Sequence, residues 1–380
     1  MQTIGVICEY NPFHLGHKKQ IDTIRAHFGQ DATIICLMSG NFVQRGHPAI
    51  FDKTTRAEAA LLCGADLVLE LPIPYALSSA EGFAAGGVAI LSKLCTHICF
   101  GAEDADSQTL MQIAAALLSP QFKEALRAHL DAGLSFPAAR QQALQDLGMN
   151  GAFLETPNNI LAIEYCKAIL AQGSNLQIFP IQRGGSYHNT QADHENPSAT
   201  AVRKLITENS TWDSFVPQAT LDLCKDATVH SIDVGETAML AKLRTMNDAE
   251  FEALPYGSEG LWRKFMHACR KESGLEEILT ATKSKRYTRT RLDRMAMCAF
   301  LGISQAELSA PAPYVRTLGF NRRGRNVLSA HKEENFLRNI GEDTQHPYQA
   351  LEQRCTALYG LFADKPEPPD AESRYRVIVK

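Results

Sequence analysis

The first half of the chain alternates short, almost unbroken apolar runs with stretches in which apolar side chains recur every three or four positions. The runs lie at residues 3–8, 32–38, 67–71, 97–101 and 176–181. They are apolar nearly throughout instead of alternating with polar residues, as expected of strands covered on both faces. Between them fall helical spacings such as Ile21 with Ile24, and Ala57, Ala60 and Leu61 with Gly64 just beyond as a stop. Strand, helix and strand repeated in this way predict an α/β fold: a doubly wound, five-stranded parallel sheet with right-handed crossovers. Ligands of such sheets sit at the carboxyl ends of the strands.

The connection over residues 103–174 is too long for one crossover and has helical spacing near 110–118, 122–130 and 160–170. It predicts an inserted helical cap, placed to act as a lid. Beyond about residue 208 the strand signals fade and the chain reads as mostly helical, with loop punctuation at Ala310-Pro311-Ala312-Pro313 and a polar stretch from Asp364-Lys365-Pro366. The predicted organisation is an α/β domain over 1–210 with the insert at 103–174, a mostly helical basic domain over 211–363, and a tail over 364–380. No apolar run approaches the roughly 20 residues that cross a bilayer. The opening residues, with polar Glu9 and Asn11 arriving at once, read as a first strand and not a leader.

With 380 residues, 45% hydrophobic and 21% charged, the composition is that of a globular protein and excludes a collagen, a coiled-coil rod or a disordered chain. The ten cysteines are scattered, with no Cys-x-x-Cys pair, and most lie in apolar stretches, the pattern of buried reduced thiols in a cytoplasmic protein. A zinc site from Cys95, His97 and Cys99 is disfavoured because Thr96, Ile98 and Phe100 alternate with them as in a strand, so no metal site is expected. The net charge of −4 hides an asymmetry: residues 101–250 hold 10 basic and 18 acidic side chains, residues 251–350 hold 16 and 11. Within the second block, Lys283, Lys285, Arg286, Arg289, Arg291 and Arg294 crowd around Tyr287 with Asp293 as the one acid. That density predicts a surface for a polyanion.

The chemistry concentrates directly after the first run, at Cys8-Glu9-Tyr10-Asn11-Pro12-Phe13-His14-Leu15-Gly16-His17. His14 and His17 are three apart, so at a helix N-terminus both imidazoles can face one point. Gly16 leaves room for a ligand, and the first-turn amides add positive partial charge: a phosphate seat. A second element, Asn196-Pro197-Ser198-Ala199-Thr200-Ala201-Val202-Arg203-Lys204, follows the fifth run. There Ser198 and Thr200 can cap a helix and hold phosphate oxygens while Arg203 neutralises pyrophosphate charge. The two elements in this order resemble the nucleotidyltransferase superfamily with its His-x-Gly-His motif.

The resemblance narrows. Glu9-Tyr10-Asn11-Pro12-Phe13-His14, Met38-Ser39-Gly40-Asn41-Phe42-Val43-Gln44-Arg45-Gly46, Pro157-Asn158-Asn159-Ile160-Leu161, Lys285-Arg286-Tyr287-Thr288 and Ala312-Pro313-Tyr314-Val315-Arg316 look like the tRNA(Met) cytidine acetate ligase family, over residues 1 to about 330. The resemblance implies acetylation of N4 of the wobble cytidine of elongator tRNA(Met), from acetate and ATP with Mg²⁺, through an acetyl-adenylate. It carries ATP contacts onto Ile7, Cys8, Glu9, Tyr10, Asn11, Pro12, Phe13, His14, Leu15, Gly16, His17, Lys18, Lys19 and Gln20, and onto Gly101, Asn158, Asn159, Arg183 and Gly184. His14 and His17 would be the catalytic pair, and Ser198, Thr200 and Arg203 further ATP contacts. Arg45, Lys283, Lys285, Arg286, Arg289, Arg291, Arg294 and Arg316 would hold the tRNA. His47 departs from the family, whose members often carry Glu there. Glu70, at the end of the third run, reads equally as a structural partner or as a Mg²⁺ or ribose contact, and Asn158 and Asn159 also read as helix caps. An alternative for the whole chain is nucleotidyl transfer onto a small phosphorylated cofactor precursor.

Overall fold

The computed structural model describes residues 2–183, 197–332, 337–338 and 346–380. The five apolar runs form β1 (Thr3–Cys8), β2 (Thr33–Ser39), β3 (Leu67–Leu71), β4 (His97–Ala102) and β5 (Gln177–Gln182). They pair in parallel in the spatial order β3-β2-β1-β4-β5, with Ile4 opposite Ile34 on one side and His97 on the other. Alternate residues of each strand point to opposite faces, and both faces are covered. Ile4, Val6, Ile34, Cys36 and Val68 pack with α1 (Leu15–Phe28) and α2 (Lys53–Leu62). Ile7, Ile35, Leu37, Leu69 and Ile98 pack on the other side with α3 (Ala80–Leu91), α4 (Ser107–Leu118) and α7 (Pro157–Gln172). The chain runs outward from β1 to β3 and then returns to β4 beside β1. The topological switch therefore lies between β1 and β4, where the ends of neighbouring strands open a crevice.

The insert is helical as expected, with α5 (Pro120–Asp131) and α6 (Phe136–Asp146) completing it. It does not form a lid. Its apolar residues Leu110, Ile113, Leu117, Phe122 and Leu144 extend the sheet-face core, and of the described residues in this stretch only Glu103 and Asn158 reach the cavity described below.

Two expectations for the second half are corrected. The sheet is not confined to five parallel strands, because β6 (Val315–Phe320) lies antiparallel against β3, and β7 (Ile378–Val379) lies parallel to β6. The short strand Leu337–Arg338 also pairs with β6. Residues 364–380 are therefore not a loose tail: they carry β7, the buried Tyr375, and Glu372 at 3% exposure. Glu372 accepts from Lys53 Nζ at 2.9 Å and pairs with Arg316, while Lys53 also bonds Glu70 Oε2 at 2.8 Å and Arg316 Nη2 bonds Glu352 Oε2 at 2.5 Å. Two cations and three carboxylates, each 6% exposed or less at the side chain, thus tie β3, β6 and the C-terminal segment together. Glu70 is a structural partner. Burial pushes the Glu352 carboxyl up and the Lys53 ammonium down.

Most of the second-half helices form a second core, while Val202, Ile206, Phe215 and Cys224 pack with Ile50 and Phe51 in a smaller one. Met239, Leu243, Phe265, Ile278, Leu292, Met295 and Tyr359 pack together with Phe42, Ile73 and Leu77 from the first half. No described helix is long and apolar enough to cross a membrane.

Candidate functional site

His14 is the N-cap of α1, directly beyond the carboxyl end of β1. Its Nδ1 accepts from Gly16 N–H at 3.1 Å, and His17 Nδ1 accepts from His14 N–H at 3.3 Å, a reciprocal capping box built from two imidazoles. The rings stack with centroids 3.7 Å apart. Because both Nδ1 atoms are acceptors, the neutral rings carry their protons on Nε2. Burial is the main cause that pulls His14 down to about 3, with the cations of Arg183 and Arg203 adding to it. His17 is also held well below the ordinary histidine range, by burial and then by His14 and Arg183. The pair is therefore neutral at physiological pH and serves as two N–H donors, with the cationic charge coming from arginine and lysine.

This arrangement revises two details. Most amides at this helix start are engaged within the turn: His14 N–H and Gly16 N–H go to the imidazoles, and His17 N–H and Lys18 N–H both reach His14 O. Gly16 is required by the histidine itself, since a Cβ there would stand 2.9 Å from His14 Cε1.

The imidazoles belong to the wall of a cavity of about 570 Å³ at the β1/β4 switch point. Of the predicted ATP-contact residues, Glu9, Asn11, His14, Gly16, His17, Lys19, Gln20, Gly101, Asn158, Arg183, Ser198, Thr200 and Arg203 line it. Ser198 caps α8 (Ala199–Thr207) by accepting from Ala201 N–H at 3.1 Å. One turn on, Arg203 spans from Thr200 Oγ1 at 3.2 Å to Asn11 O at 2.8 Å, which welds this helix to the loop after β1.

The others stand behind the wall. Ile7 packs in the sheet core, Cys8 donates to Leu37 O, Tyr10 meets Cys36 Sγ at 3.3 Å, and Phe13 is buried against Tyr10 and His17. Pro12 is buried, Leu15 is half-buried, and Lys18 pairs with Asp22 along α1. These residues support the cavity and do not border it. Gly184, with Tyr187 and His188, lies outside the described residues.

Asn158 and Asn159 occupy the first turn of α7, but the cap is Glu103. Its carboxylate accepts from Asn158 Nδ2 at 2.6 Å and from Asn159 N–H at 2.7 Å. Asn159 does not border the cavity; its Oδ1 accepts from Asp104 N–H at 2.9 Å. Asn158 Oδ1 takes Arg183 Nη1 at 3.1 Å, and Arg183 lies across Gly101, where a Cβ would come within 2.8 Å of Arg183 Cδ. Gly101 is thus needed for the arginine.

The cavity has further walls that the sequence reading missed: Val43, His47, Pro48 and Ile50 from the segment after β2, Lys204 and Thr207 on α8, and His230, Ser231 and Ile232 where α9 (Ile232–Thr245) begins. Glu103, Asn158 and the second-half residues sit far apart in sequence, and no local spacing marks them as neighbours.

The predicted RNA-binding cations divide. Lys283, Lys285 and Arg286 are exposed, and Arg45 is exposed on the cavity rim. Arg289, on α10 (Arg289–Leu301), is clamped by Glu276 and by Asp293, and Arg291 is bonded to Tyr256 O at 2.9 Å. Arg294 is buried over the Tyr256 ring, and Arg316 is buried in the ion cluster. Neither can meet a polyanion; both had looked available only because burial is invisible in a charge count.

A parallel sheet with a paired-histidine helix start at its switch point defines a nucleotidyltransferase: residues 1–374 match the HIGH Nucleotidyl Transferase family. The chain is 35% identical to the tRNA(Met) cytidine acetate ligase of Clostridium acetobutylicum over all of both chains, and 38% identical to that of Clostridium perfringens, covering 95% of this chain and 96% of the relative. Crystal structures of Thermotoga maritima TmcAL, apo and bound with alpha-thio ATP, superpose with TM-scores of 0.90 and 0.88, at 29% identity and full coverage of both chains. The chain belongs to the tRNA(Met) cytidine acetate ligase family and is an ATP-dependent ligase.

Proposed function

We propose that the protein, acting in the cytoplasm, activates acetate with ATP and transfers the acetyl group to N4 of the wobble cytidine of elongator tRNA(Met). The observation that carries this reading is the stacked His14–His17 pair, with Nε2–H donors at a cavity also bordered by Lys19, Arg183 and Arg203. The names of the full-length relatives support the acceptor and the acyl donor.

The first step is displacement at the α-phosphorus. Acetate, with an acidity like that of a glutamic acid at about 4.3, is an anion at neutral pH and needs no base. What limits the step is repulsion between two anions and the charge growing on phosphate, which aligned N–H donors and guanidinium groups offset. His14 and His17 supply neutral donors fixed by their own capping bonds, and Arg203 supplies a cation fixed at Asn11 and Thr200. ATP would enter with Mg²⁺ on its phosphates as part of the substrate. Among the described residues no three His, Cys, Asp or Glu side chains gather to hold a metal, so the ion would be carried by the triphosphate, with Glu9 as the cavity carboxylate nearest to free. The acetyl-adenylate and pyrophosphate result.

In the second step the cytidine amine attacks the acetyl carbonyl and AMP leaves. We place the RNA on Arg45 at the cavity rim and on the exposed Lys283, Lys285 and Arg286, and of the expected 211–363 unit we assign residues 211–314 and 346–363 to holding it, since Val315–Phe320 joins the sheet. The test mixes the protein with ATP, acetate and a tRNA(Met) transcript, and reads pyrophosphate release and N4-acetylcytidine in the digested RNA. Both products are expected, each dependent on acetate. Pyrophosphate release that needs a phosphorylated small molecule in place of acetate would overturn the reading.

A further inference from the structure

The acetyl-transfer step needs a proton acceptor, and the histidines and Glu103 at the nucleotide end of the cavity do not provide one, which leaves Glu9, whose Oε1 accepts from Gln44 N–H, and His47 as the candidates. The amine lone pair of cytidine is delocalised into the ring, so its N–H protons must leave as the C–N bond forms. The departing phosphate of AMP is already a stable anion and takes no proton. Each cavity histidine at the nucleotide end has its Nδ1 lone pair occupied by a backbone N–H. Glu103 is saturated by the α7 N-terminus, and the His230 ring is fully buried, stacked on Tyr359 and bonded to Glu367.

His47 is different. It sits on the hairpin of Phe42–Val43 and His47–Pro48, borders the cavity, and keeps 46% of its side chain exposed. The hairpin is locked to α10. Gly46 has φ of +81°, and a Cβ there would stand 2.6 Å from Arg294 N, so the turn lies backbone against backbone on the helix. Arg294 Nη1 donates to Gln44 O at 3.3 Å. This docking sets His47 Nε2 3.9 Å from Oδ2 of Asp293, a side chain only 8% exposed whose other oxygen accepts from Arg289 Nε at 2.7 Å. At 3.9 Å the two are not hydrogen-bonded, and the carboxylate acts by its charge, which draws the ring proton to the Nε2 side and leaves the Nδ1 lone pair as an acceptor. The charged groups around the hairpin are Arg45 beside His47, Glu9 on Gln44 N–H, Arg294 on Gln44 O, and the Arg289–Asp293 pair.

We propose that His47, oriented by Asp293, is the proton acceptor for acetyl transfer. The assignment rests on the acetyl-transfer reading above. In the step, the cytidine N4–acetyl C bond forms, the acetyl C–O bond to AMP breaks with its electron pair going to the phosphate oxygen, and the amine proton passes to His47 Nδ1. The position suits the role: the hairpin joins the nucleotide cavity to the helix that opens with the basic run, where the activated acyl group and the RNA must meet.

The test separates the half-reactions. His47→Gln, His47→Glu and Glu9→Gln are compared with the natural protein for acetate-dependent pyrophosphate release, for single-turnover acetylation of a tRNA(Met) transcript from pH 5.5 to 8.5, and for tRNA affinity. In His47→Gln, pyrophosphate release should persist, while acetyl transfer should fall by about 10²-fold or more and lose its rise with pH. His47→Glu should recover part of the rate, with the rise in the profile moved to lower pH. An unchanged transfer rate, a loss with the pH profile intact, a loss accounted for by weaker tRNA binding, or the same signature in Glu9→Gln alone would overturn the assignment. Absence of acetate-dependent pyrophosphate release from the natural protein would instead overturn the reading on which it rests.

Discussion

His14 and His17 face each other as stacked rings, 23° from parallel, with each Nδ1 accepting a backbone N–H of the same helix turn. The pair is at once a helix cap and a donor array, so its substitutions should carry two signatures. His14→Ala removes the cap acceptor and a cavity donor. It should cost about 1 kcal/mol of stability from the cap and weaken ATP binding by about 1.5–3 kcal/mol. His14→Asn, which keeps a side-chain acceptor, should recover most of the stability and little of the affinity. Thermal denaturation and titration calorimetry with ATP distinguish the two.

The same burial predicts a pH dependence. A histidine whose folded-state pKa is depressed gives its full stabilisation above the unfolded value near 6.5. Below that value the unfolded chain binds the extra proton, and stability falls with decreasing pH until the folded value is reached. With His14 at about 3, the loss at pH 5 should be about 2 kcal/mol from this residue, and His17 acts in the same direction. Unfolding measured at pH 7 and pH 5 should show a smaller acid loss in His14→Asn than in the natural protein. Equal losses would contradict the neutral-donor assignment.

The buried ion cluster makes a prediction about Arg316. Truncation to Ala leaves Glu70, Glu352 and Glu372 with Lys53 as their one cation, and should destabilise the fold by about 3–5 kcal/mol. Chain termination before Ala371, which deletes Glu372, Tyr375 and β7, should also lower the melting temperature markedly. Denaturant titration of both checks this, and full stability in either would show that the C-terminal segment is dispensable.

The exposed cations should behave in the opposite way. Lys283, Lys285 and Arg286 changed together to Ala should leave folding and ATP binding intact while weakening tRNA binding. The slope of log affinity against log salt should become shallower by about 0.7–0.9 for each phosphate that is no longer neutralised. Arg289→Ala should act mainly through Asp293 and Glu276, and so less through salt dependence.

The five parallel strands, the helical insert and the paired histidines were legible because each is written in local pattern: unbroken apolar runs, helical spacing, and two imidazoles three residues apart. The sixth strand was not, because Arg316 interrupts the apolar sequence Val315 to Phe320, and the three carboxylates that accommodate it lie at Glu70, Glu352 and Glu372. Long-range pairing also hid the tail's role and the burial of Arg294. At the site, Gly16 was read as room for a ligand and Gly101 as an ATP contact, whereas His14 and Arg183 fill the space beside them. The walls at Ile50 and His230 come together through long-range bonds that no local pattern marks: Tyr359 O–H donates to Ala49 O at 2.8 Å, and His230 N–H donates to Ile50 O at 2.9 Å.

The most direct test of the central claim is exchange of labelled pyrophosphate into ATP, run with and without acetate in the natural protein and in His17→Ala. The account predicts exchange only when acetate is present, and its loss in the variant while the fold is retained. Exchange that ignores acetate, or that survives without the His17 imidazole, would contradict it.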